Sequence, residues 1–529
     1  MKNFTKFLTN HLTIGIIFFI LIFSIELIII LLLNKGKFIY TIDDPYIHLA
    51  LSKNIMQGHY GINIGEYSAP SSSIIWPFLL APFSIVGVFE FIPLILNLIF
   101  ALMTVSLYYK IIVLCFNSTY NQNSANKCLH IFMLISLILI TNLVGLVFTG
   151  MEHSLQLLIV VFIVYYMIKI TLDIPINFAI LSFTIILSVL IRFENVLLSF
   201  LVIIFYFHKK KYFLGWLTAI ISVLCLIGFS FFLKSLELGW LPSSVIQKSG
   251  ANNIGALDFI ISGLTRSYKS PTGLKLMLGI FLLMIPLLNN RINKIKIFII
   301  IILTSVIGHV VAGTYNMYNR YEIYIWTALI LSLIYLYSDF IIKIYSFYKS
   351  NNKIHVLLFI AVFFEIIIAL PYFRGIITIP IASNNIYSQQ YQMHRFVKNY
   401  YFNPIAVNDL GLTSFKINQY KLDLAGLGSY EVIKYRSFLN DKNWMETLAA
   451  KHNIQLIMIY DVFFNNIPKK WIKIGELQTT TQPTNLGDTV VSFYIRENKE
   501  IESILTKLKL FASTLPNKTK FVFAKSLMQ

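Results

Sequence analysis

The residues best suited to chemistry lie in Tyr40-Thr41-Ile42-Asp43-Asp44-Pro45-Tyr46-Ile47-His48, directly after the first long apolar run. Adjacent carboxylates at the mouth of a membrane helix are costly to hold near hydrocarbon, so such a position generally carries function. One carboxylate could accept the proton of an attacking hydroxyl while the second orients an acceptor or binds a cation. Neighbouring side chains point in different directions, so both are not expected to serve as bases. For Asp44 a structural reading competes: it N-caps a helix from Pro45, with proline at the favoured first position.

Further candidates punctuate the chain. Glu152, after Thr149-Gly150-Met151, precedes a long apolar stretch. It is either a helix-terminal acid favoured by the macrodipole or a second carboxylate of the acceptor or cation site. His153 beside it is read as a bystander. Arg192 and Glu194 pair with each other, with lipid head groups or with substrate. Lys248, Arg266 and Arg320 are the cations offered for a phosphate, arginine as a bidentate fork and lysine as a compact charge. Arg320 leads because Tyr318 and Tyr321 flank it, although a snorkelling arginine in a tyrosine-rich interfacial belt is the rival reading. Tyr46, His48 and Tyr321 complete the substrate-side candidates. Such acids allow Mg²⁺ or Mn²⁺ without requiring it, and no metal ligands are assigned. Glu26 and Glu365 fall inside expected helices and are read as packing or a polar groove.

These residues must be held by membrane helices. The chain is 57% hydrophobic and 13% charged, against roughly 25% charged in an average soluble protein. Apolar runs recur from Leu12 to about Tyr372 and then stop. The first, Leu12–Leu33, is too long for a signal-peptide core and lacks a small-residue cleavage site, so it is expected to be retained. The expected spans are 12–33, 91–113, 129–148, 153–171, 176–191, 195–207, 212–233, 272–288, 296–312, 322–342 and 354–373, about eleven. Ile74–Val88, short and carrying Pro77 and Pro82, reads as a re-entrant or interface-lying helix.

Charge sets the expected orientation. With Lys2 and Lys6 inside, this count also places Lys127, Lys209-Lys210-Lys211, Arg291, Lys294 and Lys343 in cytoplasmic loops, as the positive-inside rule requires. The net charge of +19 is thereby explained without nucleic acid. Asp43, Asp44, Glu152, Arg192, Glu194, the 234–271 loop, Asn319-Arg320-Tyr321 and the tail then share the outer face. Cys115, Cys128 and Cys225 show no metal-ligand spacing and no disulfide framework. From about Ser383 the composition changes. Ile405-Ala406-Val407 and Ile454–Tyr460 read as strands and Trp444–Lys451 as a helix, which suits one small α/β domain. The fold class is therefore an α-helical polytopic membrane protein, residues 1–382, with an extracytoplasmic C-terminal soluble α/β domain, residues 383–529.

Taken in order, several motifs resemble the GT-C glycosyltransferases, integral membrane enzymes that use polyprenyl-phosphate sugars, and most nearly the bacterial arabinosyl- and mannosyltransferase-like members. They are Asp43-Asp44-Pro45-Tyr46-Ile47, Gly58–Gly65 with Glu66 and Ser71-Ser72-Ser73, Thr149-Gly150-Met151-Glu152, Arg192-Phe193-Glu194 and Gly239-Trp240-Leu241-Pro242. In the tail, Val407-Asn408-Asp409-Leu410-Gly411 and Asp423-Leu424-Ala425-Gly426-Leu427 belong to the set. Phe193 departs from the proline that many relatives carry. The resemblance implies Asp43 as base and an inverting transfer from a polyprenyl-phosphate donor to a glycan, glycolipid or protein acceptor, at the outer face of the bacterial inner membrane. A flippase for lipid-linked glycans and an O-antigen-type polymerase are the alternatives. The first should carry charge along a deep path, and the second typically relies on arginine-rich outer loops.

Overall fold

The structure is a computed structural model and describes residues 11–116, 126–249, 255–289, 292–315, 318, 320–351, 353–438 and 441–525. Lys2, Lys6, Arg291 and Asn319 lie outside the described residues, as do the side chains of Lys127 and Lys248. By packing, the chain forms two compact units. One comprises residues 1–25, 94–227 and 252–377; the other comprises 26–93, 228–251 and 378–529.

The expected class holds: a multi-pass helical membrane protein with a C-terminal α/β domain. Among the described residues seven helices are long and apolar enough to cross a bilayer: His11–Leu33, Phe89–Phe116, His153–Thr171, Tyr212–Ser235, Pro271–Asn289, Asn293–Ala312 and Ile354–Ile377. Ile323–Leu336 and Ser338–Ser350, bent by 63°, make an eighth if they act as one span. The other expected spans are shorter or broken. The 129–148 run stops at Ile140, because Asn142 adopts a left-handed conformation (φ 48°) that a right-handed helix cannot continue. Phe178–Ile191 has 14 residues, a rise of about 21 Å against the roughly 30 Å of hydrocarbon. The 195–207 run divides at Ile203 into Val196–Val202 and Ile204–His208. The 74–88 segment is a short helix, Trp76–Leu80, running into a 3₁₀ turn, Ala81–Ile85, each with a proline near its start. Two helices, Ser243–Ser249 and Ala256–Lys269, occupy the expected 234–271 loop.

In the other unit the first loop is stitched to the tail. Asn34 Nδ2 donates to Ser383 Oγ at 2.9 Å, and that hydroxyl donates to the Ile39 carbonyl at 2.6 Å. Asn63 makes a two-way clip with the backbone of Lys421. Strands β1 (Ile405–Val407), β2 (Lys421–Asp423), β3 (Leu456–Ile459), β4 (Ile472–Thr479), β5 (Val490–Ile495) and β6 (Thr519–Phe523) form one sheet in the order β2-β1-β3-β5-β4-β6. β1 runs parallel to β2 and β3, and the remaining pairs are antiparallel. One face packs Ala406, Leu422, Ile457 and Tyr494 against Leu448 of helix Trp444–Lys451. On the opposite face Phe493 meets Phe396, which in turn meets Phe511. Burial on both faces explains why β1 and β3 are wholly apolar rather than alternating. Asp409 and Tyr460 follow the carboxyl ends of β1 and β3, the edge where open α/β sheets place ligands.

Candidate functional site

Asp43 is the N-cap residue of helix Asp44–Met56, yet its carboxylate does not cap that helix. Its Oδ2 accepts the Gly411 N–H at 2.7 Å and its Oδ1 the Leu412 N–H at 2.9 Å. Both amides belong to the first turn of the short helix Gly411–Ser414, where N–H groups have no partner within the helix. The approach is close enough that a Cβ on Gly411 would overlap the Asp43 carbonyl oxygen and carboxylate. Asp44 begins the helix instead of capping it, one residue earlier than expected, with Pro45 in the first turn.

A second carboxylate, absent from the sequence candidates, stands beside Asp43. Asp409 Oδ2 accepts from Gln390 Nε2 at 2.7 Å, and the same amide group donates to the Tyr460 hydroxyl at 2.9 Å. Tyr460 donates onward to Gln389 Oε1, and its backbone N–H donates to Asn408 Oδ1 at 2.8 Å. Burial, then the neighbouring Asp409, push Asp43 well above the usual carboxylate range; the two backbone amides pull the other way. Burial also raises Asp409, against its bond to Gln390. The pair therefore retains a proton at a pH where isolated aspartates have lost theirs. The signal in the sequence was Asn408-Asp409-Leu410-Gly411 straight after a strand-like run. Tyr46 and His48 are buried in helix Asp44–Met56, with Tyr46 packed against Tyr40 and Phe415.

The membrane-helix unit gathers a different set. Arg192, 2% exposed, donates from Nε and Nη2 to both oxygens of Glu194 at 3.0 and 2.5 Å. Its Nη1 reaches Glu152 Oε1 at 2.6 Å. Arg192 is thus held between two carboxylates rather than by lipid head groups. Glu152 does occupy the N-cap of helix His153–Thr171, but its carboxylate serves Arg192 and not the helix. The Tyr321 ring lies 5.6 Å from the Arg192 guanidinium and 5.0 Å from that of Arg320, so one ring serves both cations. Tyr321 thus lies against Arg320, and the Tyr318 hydroxyl donates to the Gly375 carbonyl at 3.0 Å. Arg266 donates to the Gly313 carbonyl at 2.7 Å, at the end of helix Asn293–Ala312. Lys248 lies on helix Ser243–Ser249. Glu322 and the His309–Tyr324 pair, both buried, were not among the sequence candidates.

Among the described residues no group of three or more His, Cys, Asp or Glu side chains is arranged to hold a metal ion. Both oxygens of Asp43 are already engaged by amides.

Residues 384–494 match the family described as "Domain of unknown function (DUF8728)". No curated protein sequence matches the chain. Similar solved structures include the Archaeoglobus fulgidus oligosaccharyltransferase AglB in complex with an inhibitory peptide and a dolichol-phosphate, at 11% identity over 96% of this chain and 76% of that one, TM-score 0.44. The A. fulgidus oligosaccharyltransferase tethered to an acceptor peptide containing the NVT sequon is likewise 11% identical over 96% and 76%, TM-score 0.46. Its complex with zinc and sulfate is 11% identical over 95% and 75%, TM-score 0.43. At this level of likeness the chemistry has to come from the chain's own residues.

Two outcomes test these arrangements. Gly411→Ala is expected to destabilise the protein by about 1–3 kcal/mol, because the methyl forces the Asp43 loop away. Gly65→Ala, where the added Cβ meets open space, should leave the thermal midpoint nearly unchanged. Arg192→Met removes the guanidinium that Glu152 and Glu194 share and should cost roughly 3–5 kcal/mol in detergent unfolding. The double variant with Glu152→Gln should recover part of that loss.

Proposed function

We propose that the protein is an inverting glycosyltransferase that moves a sugar from a polyprenyl-phosphate carrier to a hydroxyl of a glycan, glycolipid or protein acceptor. Its active site and tail would face outward from the bacterial cytoplasmic membrane. The observation that carries the reading is the Asp43–Asp409 pair: a carboxylate anchored by two amides, with its proton affinity raised toward neutrality. A general base works best when its pKa lies near the operating pH. The ordered motifs from Asp43 to Asp423 support the same reading, as do apolar helices able to accommodate a prenyl chain.

In the proposed reaction Asp43 takes the proton of the acceptor hydroxyl as its oxygen forms a bond to the anomeric carbon. The bond from that carbon to the phosphate oxygen breaks, and its electron pair leaves with the phosphate. Attack opposite the leaving group inverts the anomeric centre. Phosphate leaves readily, so it needs cationic stabilisation rather than a general acid. From the sequence, Arg320 is the first cation offered for that charge, with Arg266 and Lys248 as further ones. Asp409 is a positioning residue, setting the proton affinity of Asp43. Asp44, next to the base in the chain, is proposed to orient the acceptor.

With purified protein and radiolabelled polyprenyl-phosphate sugars, Asp43→Asn should lower transfer by about 10²–10⁴-fold while donor binding persists. Transfer at the wild-type rate would remove Asp43 as base. Translocation in liposomes without transfer would favour a flippase. The pH profile tests the pair itself. Asp43 must be ionised to act, so activity should fall with decreasing pH, at a point well above the ordinary aspartate value of about 3.9. Asp409→Asn removes the neighbouring negative charge and should move that acid limb to lower pH. A limb that stays in place would show Asp409 to be only structural.

A further inference from the structure

The unit containing the tail holds a cavity of about 240 Å³, bounded by helix Asp44–Met56, residues 62–65 and the segment from Ser414 to Lys421. Its wall carries Lys53, Lys416 and Lys421 and, among its lining residues, no acid. Lys421 is 3% exposed, and its Nζ donates to the Ile417 carbonyl at 3.0 Å. Its backbone is fixed by the Asn63 clip at 2.8 and 3.0 Å, so the buried ammonium cannot easily withdraw. Lys416 is paired with Glu90 at 2.6 Å. Lys53 acts on Lys421 as a like charge; burial first, then Lys53, lowers Lys421 to about 8. Burying an ammonium without a carboxylate partner is unfavourable. A bound anion would relieve both the desolvation and the repulsion.

We propose that this cavity binds a phosphate group, carried either by a lipid head group or by a soluble phosphate ester. Lysine suits a phosphate as a compact point charge. The volume equals roughly eight liquid waters at about 30 Å³ each, ample for a phosphate with part of its substituent. It lies below the roughly 300–1,000 Å³ of drug-sized sites. Ser414 lines the cavity at the far end of the helix whose first amides hold Asp43, so the bound phosphate sits one short helix from the proposed base.

Calorimetry on the purified full chain tests this without any transfer reaction. The probes are inorganic phosphate and a hexose 1-phosphate in neutral-detergent micelles, and nanodiscs with or without phosphatidylglycerol. Saturable binding of a soluble probe assigns the site to a phosphate ester, and binding confined to phosphatidylglycerol assigns it to a head group. In either case Lys421→Met should raise Kd about tenfold, the share of one charge-assisted contact, and the exposed Lys53→Gln about threefold. Without ligand, Lys421→Met should melt no lower than wild type, because it removes an uncompensated buried charge. Asp43→Asn should bind as wild type, which separates this result from the fate of the transferase reading. Absence of binding by every probe, or equal binding by wild type and both variants, overturns the proposal. Should Lys421→Met fail to fold, Lys53→Gln decides.

Discussion

Two backbone N–H groups from the start of a four-residue helix meet the two oxygens of Asp43 across 368 residues of chain. This contact decides which acid of the tandem pair is anchored and brings the loop after the first apolar helix into one compact unit with the α/β domain. It also makes residue 411 a glycine, since any side chain there would occupy the space of the carboxylate. Amides favour the charged form of Asp43, whereas burial and Asp409 favour the protonated one. A carboxylate balanced between such forces can change protonation during a reaction, which a fully solvated one at neutral pH does not readily do.

The protein holds its acids in two contrasting ways. Glu152 and Glu194 are matched to Arg192 with short, largely bidentate bonds. An acid held against an arginine stays ionised and is suited to fixing geometry. Asp43 leans on two backbone amides and Asp409 on the Gln390 amide, all neutral donors. Their mutual repulsion is therefore not cancelled by a cation. The first arrangement organises helix ends in the membrane unit; the second concentrates proton affinity beside the sheet edge. Tyr321 extends the first by laying one ring against both Arg192 and Arg320.

Much of the fold was legible because its signals are local. Hydrophobic length placed most helices to within a few residues, and the strand-like runs at 405–407 and 454–460 became β1 and β3 around helix Trp444–Lys451. The departures share a cause. Composition reports that a run is apolar but not where a left-handed residue such as Asn142 interrupts it. Sidedness grouped Asp43, Glu152 and Arg192 as polar residues of note, yet their partners were hidden. Asp44 looked like the cap because adjacency in sequence stood in for contact. Asp409 carried a visible signal in its motif, but nothing along the chain tied it to Asp43.

By itself the amino-acid order determined the class of molecule, the approximate positions of most of its apolar helices and the α/β character of the tail. Those properties follow from periodicity and transfer free energy, which neighbouring residues settle among themselves. The three-dimensional structure alone decided that Asp43 rests on the Gly411 and Leu412 amides, that the negative charge of Asp409 acts on it, that Arg192 is enclosed by two glutamates, and that Lys421 lines a cavity without acids. Each depends on burial and on partners from distant segments, and electrostatic interactions take their strength from that local environment.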